Sequence, residues 1–414
     1  MPQVPGTKGI HNWGEKRKGV VVAGSDGMKT KLGYLAAGYG LTVAFSLALQ
    51  FLPPVIPVLR TSLGISASQA GTLMSSLAVL GIVVSPLVGY LADRWGGRAV
   101  GLLGIGLLLA TEAWFALSRS YVSLLFARLC MGTGSAMLSI LGAQIISEHY
   151  SGTKYLGAAM GTMNTAVPLG ILASQLGFAP LAAARGWQAP VWVCLAFTAL
   201  LGAVYLVWYR DPTHQPHEPS SLLQGMRQLD RHVWALGTVW MLWNAGSMVV
   251  LTFANDLLVS RGLSLQAAGG VAALLMLFPI TASTAMGHVL DRHRLQNAGA
   301  AAACLLLAIC VLLLGLDALP AIPLFIAMSL AMALAPSAVF ATAPYLMRDR
   351  QSGLGYGVLA GMLNIGVALG PVIAGAAKDA TGSYVASFAA AAVLEVLGAL
   401  AVLLLRGVPR VEGA

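Results

Sequence analysis

Charge is the scarcest ingredient of this chain. Of 414 residues, 24 are Lys or Arg and 15 are Asp or Glu, which makes 9% of the sequence charged. Soluble globular proteins carry roughly 25%. So few charges cannot clothe a 42.8 kDa protein in a water-facing surface, so lipid must be the solvent for most of it. Cysteine is nearly as sparse. Cys130, Cys194, Cys304 and Cys310 all fall inside apolar runs, where they read as buried free thiols rather than as a disulfide framework or a zinc site. No Gly-x-x-x-x-Gly-Lys-Ser/Thr loop occurs, which argues against ATP-driven work. No cluster of His, carboxylates or base-activated nucleophiles lies at depth, so an enzyme, a cofactor or a metal is not expected. The apolar runs are continuous rather than alternating, which excludes a β-barrel.

Apolar residues are abundant: 57% of the chain is hydrophobic, and Gly numbers 48. Twelve runs meet the roughly 20 apolar residues that a membrane-spanning helix needs. They lie near 31–56, 69–91, 99–118, 121–147, 155–180, 188–209, 232–257, 266–290, 297–316, 320–346, 353–377 and 383–405. The expected fold is therefore an all-α membrane protein of twelve transmembrane helices.

Basic residues set the orientation. With the N-terminus cytoplasmic, eighteen of the 24 fall on the inner side and five outside (Arg60, Arg119, Arg185, Arg261 and Lys378), leaving Arg128 within a span. This loop-by-loop bias accounts for the net charge of +9 without a nucleic-acid partner. Residues 1–30 read as a disordered cytoplasmic tail, with Met28 a natural alternative start. The first span is too long for a signal-peptide core and reads as retained. Residues 31–209 and 232–406 form two six-helix bundles, joined by a polar cytoplasmic linker over 210–231 and followed by a tail over 407–414. His214 and His217 in the linker read as solvated.

The two halves repeat. At an offset of 198, Gly64, Ser66, Gly71, Ser85, Gly89, Asp93 and Arg94 match Gly262, Ser264, Gly269, Ser283, Gly287, Asp291 and Arg292. At an offset of 200, Gly157, Gly161, Asn164 and Gly170 match Gly357, Gly361, Asn364 and Gly370. With six spans in each copy, the repeats run parallel and are related by a pseudo-two-fold axis. Such repeats are one architecture of secondary transporters, with the solute site near the midplane between them.

Between the second and third spans stands Gly89-Tyr-Leu-Ala-Asp93-Arg94-Trp-Gly96-Gly97-Arg98. Its glycines permit close packing and a tight reversal, Asp93 sits where it can meet a helix N-terminus or a base, and Arg94 and Arg98 hold the loop inside. A charged cluster that forms in one conformation and breaks in another acts as a gate. The segment resembles the signature of the major facilitator superfamily, with Gly97 where a basic residue is usual. A weaker copy, Gly287-His-Val-Leu-Asp291-Arg292-His-Arg294, occupies the equivalent place in the second half. Arg128-Leu-Cys-Met-Gly132-Thr-Gly134 and the passage from Gly375 to Tyr384 are also similar to that family. The resemblance covers about residues 31 to 405. It implies that the two bundles rock about a central solute. The Gly-Pro pair typical of the fifth span in drug exporters is here in the eleventh, as Gly370-Pro371, which departs from the exporter pattern.

Arg128 is the most informative single residue. A cation within a span costs about 2.5–3.5 kcal/mol on insertion scales, so it faces protein interior or a water-filled cavity. Glu112 lies at similar depth on the neighbouring helix. Arg128 either binds an anionic group of the solute or forms a static pair with Glu112. Gln50, Asn164, Asn244 and Asn364 are the other candidate solute contacts. Glu112 and Asp256 are the candidates for proton coupling. Glu395, in the last span, reads as structural. Pro53, Pro54 and Pro57 should bend or end the first span, and Pro168 should loosen the fifth. The expected function is a monomeric secondary transporter in the cell membrane, carrying a small anionic or zwitterionic metabolite with protons. A proton-driven multidrug exporter is the rival, favoured by Trp240, Met241 and Trp243. A non-transporting solute sensor is a further alternative.

Overall fold

The computed structural model describes residues 25–150, 153, 155–209, 229–346 and 352–405. Both tails and most of the 210–231 linker lie outside the described residues. The first helix begins at Ser25. Among the described residues the chain is helical, without strands.

The first half comprises α1 (Ser25–Gln50), α2 (Leu52–Leu63), α3 (Ala67–Trp95), α4 (Gly97–Leu117), α5 (Tyr121–Tyr150), α6 (Leu156–Asn164), α7 (Ala166–Arg185) and α8 (Gln188–Trp208). The second comprises α9 (Arg231–Ser260), α10 (Leu265–Ala273), α11 (Leu277–Thr281), α12 (Ser283–His293), α13 (Gln296–Gly315), α14 (Ala321–Leu346), α15 (Ser352–Thr381) and α16 (Tyr384–Ala401). Eleven stretches are long and apolar enough to cross a bilayer. The twelfth span is the broken Leu265–Thr281 and Ser283–Leu290, bent by 51°. Side chains on the outer flanks confirm the solvent: Val207, Leu117 and Leu200 are 79%, 68% and 66% exposed. Such surface is stable only against lipid.

The breaks follow from proline chemistry. Proline has no N–H to give to the carbonyl four residues back. Pro53 and Pro54 stop α1, yet both fit the first turn of α2, so the span continues to Leu63 rather than ending near 56. Pro168 separates α6 from α7 at Thr165, and Pro279 precedes the bend at Ala282.

Among the described residues the main seams between the halves are α3 against α15, α7 against α10, and α2 against α9. Small residues make the α3–α15 seam possible, since association in lipid depends on close packing. A Cβ on Gly71 would collide with the Pro371 carbonyl, and one on Gly375 would sit 2.5 Å from the Ala67 carbonyl oxygen.

Candidate functional site

Polar contacts across the halves gather toward one face, where α2, α7, α9 and α15 end and α3 and α16 begin. Arg60 Nη1 donates to the Asp256 carboxylate and, at 2.9 Å, to Tyr384 Oη. Tyr384 Oη in turn donates to Asp256. Nearby, Asp379 accepts from Ser66 Oγ at 2.7 Å and from the Ala67 and Ser68 amides at 3.0 and 2.7 Å. A carboxylate from one half thus caps a helix of the other and meets its positive end. Deeper, Asn255 Nδ2 donates to Gln175 Oε1 at 2.8 Å, and Gln50 Nε2 approaches Met248 Sδ at 3.9 Å. Toward the opposite face, Asn164 is exposed, and a Cβ on Gly161, Gly357 or Gly361 would meet nothing within 4 Å. The interface is latched at one end and parted at the other.

Arg128 occupies neither place expected of it. It is fully buried, and its guanidinium donates to the carbonyls of Ala48 and Leu49, the latter at 2.7 Å. It also lies 4.7 Å from the Phe51 ring centroid. The reason is local: Pro53 leaves the Leu49 carbonyl without its helical donor, and Pro54 does the same to Gln50. Arg128 serves the first, and Ser174 Oγ serves the second at 2.6 Å. Buried carbonyls need partners in lipid, and this Arg supplies them. Among the described residues Arg128 forms no ion pair with Glu112. Glu112 is fully buried and accepts from Thr198 Oγ1 at 3.4 Å. Glu395 is likewise fully buried, packed against the Cα of Gly246.

The remaining candidates disperse. Asn244 turns back to its own helix, donating to the Trp240 carbonyl at 2.7 Å. Asn364, half-buried, lies over Gly81 of α3, where a Cβ would be 3.5 Å from Oδ1. Of the gate residues, Gly96 begins α4 with φ of 84°, a conformation that favours glycine. Arg98 Nη2 donates to the Leu206 carbonyl at 2.7 Å. Gly287 lies 4.0 Å, measured from an added Cβ, from Ser337 Cβ, and Arg292 is exposed. The side-chain surroundings of Gly89, Asp93, Arg94 and Asp291 lie outside the described residues. Asp256 stands at the latch with Arg60 and Tyr384 as partners, and Asp379 lies nearby. Their signal in the sequence is a carboxylate and a base that end spans on the same face.

A second group is aromatic. Trp240 and Trp243 stack with centroids 5.1 Å apart and planes at 3°. Phe340 meets Trp240 edge-on at 5.5 Å, and Tyr356 lies 6.5 Å from Phe340 at 23°. The tryptophans are buried, while Phe340 and Tyr356 are 47% and 40% exposed.

A two-part bundle of spans, latched at one face and parted at the other, defines a multi-pass membrane protein of the transporter type. The family profile described as Major Facilitator Superfamily matches residues 38–359 and 245–414. The chain belongs to that superfamily, whose members among its relatives move small solutes. It is 29% identical over 330 residues to the 3-(3-hydroxy-phenyl)propionate transporter of Escherichia coli, covering 74% of this chain and 77% of that one. It is 31% identical over 144 residues to the vesicular acetylcholine transporter unc-17 of Caenorhabditis elegans. That match covers 35% of this chain and only 27% of the relative. Among solved structures, the nucleoside transporter NupG superposes with a TM-score of 0.76 at 14% identity, covering 91% of this chain and 100% of that one. A bacterial homologue of the lysosomal transporter Spinster, in an inward-facing and occupied conformation, gives 0.73 at 16%, covering 91% and 96%.

Proposed function

We propose that this protein is a secondary active transporter that carries a small organic anion or zwitterion across the cell membrane by alternating access, coupled to protons. The observation that carries this reading is the one-sided latch. Arg60, Asp256, Tyr384 and Asp379 bind the halves together at one face through polar contacts that can be exchanged for water. With both termini cytoplasmic, as the basic residues favour, the latched face is outward and the parted face inward. Residues 31–209 and 232–406 are the two rocking bodies, and each chain holds both, so a monomer suffices.

Proton coupling runs through Asp256. Protonation removes the charge that attracts Arg60, and the latch loosens when the carboxyl is neutral. The anion preference is supported by the E. coli relative, whose solute is named as a propionate. The purified chain in proteoliposomes should take up organic anions faster under an imposed proton gradient, and Asp256→Asn should remove that acceleration. Uptake of amines alone, or of anions with indifference to the gradient, would overturn the reading.

A further inference from the structure

We propose that Phe340 and Tyr356 form the seat for a planar aromatic ring of the transported solute. The substrate class is thereby narrowed to small aryl carboxylates; the carboxylate part rests on the anion reading above, the ring part does not. The two rings are exposed; Tyr356 stands on a flank of its helix that is interior elsewhere, and Phe340 on a flank that is buried in the middle of α14 and exposed again at Ile322. Positions 11 and 18 residues apart return to nearly the same side of an α-helix. Tyr356 accordingly shares its side of α15 with Val367 and Ala374, which are 4% and 0% exposed. The lipid side of α15 carries Leu369 and Ile373, at 47% and 38%. Phe340 stands 7 and 11 residues beyond Ala333 and Ser329 on α14, both fully buried. Tyr356 therefore meets open space on an interior flank, and Phe340 joins it there through its contacts with Tyr356 and the buried Trp240.

The surroundings suit a ring. Trp240, the neighbour of Phe340, is held by stacking on Trp243, so the exposed pair rests on a fixed apolar wall. Trp240 lies on α9 at four-residue spacing from Asn244 and Met248, and Met248 touches Gln50 of the first half. The wall thus leads directly to the point where the interface closes. Offset-stacked or edge-on contacts with such a wall favour a planar π-system over a saturated ring of equal size.

The test compares 3-phenylpropionate with 3-cyclohexylpropionate, which have the same charge and chain length, in uptake by proteoliposomes of the full chain. The wild type should favour the aromatic acid by about three- to tenfold in KM. Phe340→Leu and Tyr356→Leu should abolish that preference, and Tyr356→Phe should keep it. Equal KM values in the wild type, or an undiminished preference in both leucine variants, would overturn the seat. If neither acid is carried, binding of 2-phenylethylamine against 2-cyclohexylethylamine is measured by tryptophan fluorescence on the same proteins. A ring preference there that the leucine variants lose upholds the seat while defeating the anion reading, and no ring preference overturns the seat. Monodisperse elution of each variant in detergent checks that the comparison is between folded proteins.

Discussion

In the first half, span one breaks at Phe51 and span five at Thr165, while span two runs unbroken for 29 residues as α3. In the second half the corresponding first and fifth spans, α9 and α15, are continuous 30-residue helices. There it is the second span that bends, by 51°. The copies share register and small residues but not kinks, because single prolines set the kinks. Pro53 and Pro54 correspond to Leu251 and Thr252, Pro168 to Ala368, and Pro279 to Gly81. The same difference explains why the buried cation is one-sided. Only the first half has carbonyls orphaned at mid-membrane in its opening span, and Arg128 answers them. In α9 the corresponding carbonyls pair within the helix, and the positions matching Arg128 at the two offsets are Ile326 and Met328.

The sharpest way to break this comparison is to remove the cation. Arg128→Ala leaves two buried carbonyls unpaired and should destabilise the protein by roughly 2–6 kcal/mol, read as loss of monodisperse protein and a lower unfolding temperature in detergent. Restoring the N–H group that the Leu49 carbonyl lacks, with Pro53→Ala, should recover part of that loss. A stable Arg128→Ala protein that fails only in transport would instead assign the residue to the solute.

The latch comes next. Asp256→Asn combined with Arg60→Ala removes charge-assisted bonds worth about 1.5–3 kcal/mol each. Thiol labelling of Gln175→Cys from the latched face, in a background lacking the native cysteines, should accelerate by at least about tenfold. An unchanged rate would show that the α3–α15 and α7–α10 seams hold that face shut on their own.

Smaller effects are expected at single contacts. Gly71→Val drives a side chain into the Pro371 carbonyl and should cost about 1–3 kcal/mol, whereas Gly270→Ala, with open space around its Cβ, should be neutral. Thermal unfolding in detergent compares the two. The least change is at the entry to α9. The Asp230 side chain accepts from the His232 amide at 2.8 Å. That backbone N–H holds the Asp230 carboxyl below the usual carboxylate range. A carboxyl whose folded value is depressed stabilises the protein above its unfolded value, near 3.9, and the benefit fades as pH falls through the lowered value. Asp230→Ala should cost about 1 kcal/mol at neutral pH, and the difference in unfolding temperature from wild type should shrink in strong acid.

Much of the architecture is legible in the sequence. Span number and approximate placement follow from hydropathy, because a bilayer leaves few alternatives to a helix. Prolines signal a break near 56, but they also suit a helix's first turn, and so the first span reaches Leu63. The sequence marks Arg128 as a cation within a span and Glu112 as a partner at matching depth, whereas its acceptors are the Ala48 and Leu49 carbonyls beside Pro53. Asp256 was chosen on its chemistry alone. Its partners stayed hidden, since Arg60 and Tyr384 are 196 and 128 residues away from it, and only folding brings such distances together. The aromatic pair is not legible in the sequence, because Phe340 and Tyr356 look like any other apolar residues in spans until their neighbours are known.

One consequence of the α3–α15 seam concerns mechanics. Both members are unbroken rods in backbone contact near Gly71 and Gly375, whereas the α7–α10 seam joins two segments that each belong to a jointed span. A stiff rod carries rotation from one end to the other undiminished, and a jointed strut absorbs part of it. Tilting at the Asp379 end is therefore expected to move the Tyr356 end with it, less whatever α15 yields at its interior Pro371, while the other edge flexes in place. The molecule is hung like a book, with a rigid spine along one edge and a supple cover along the other.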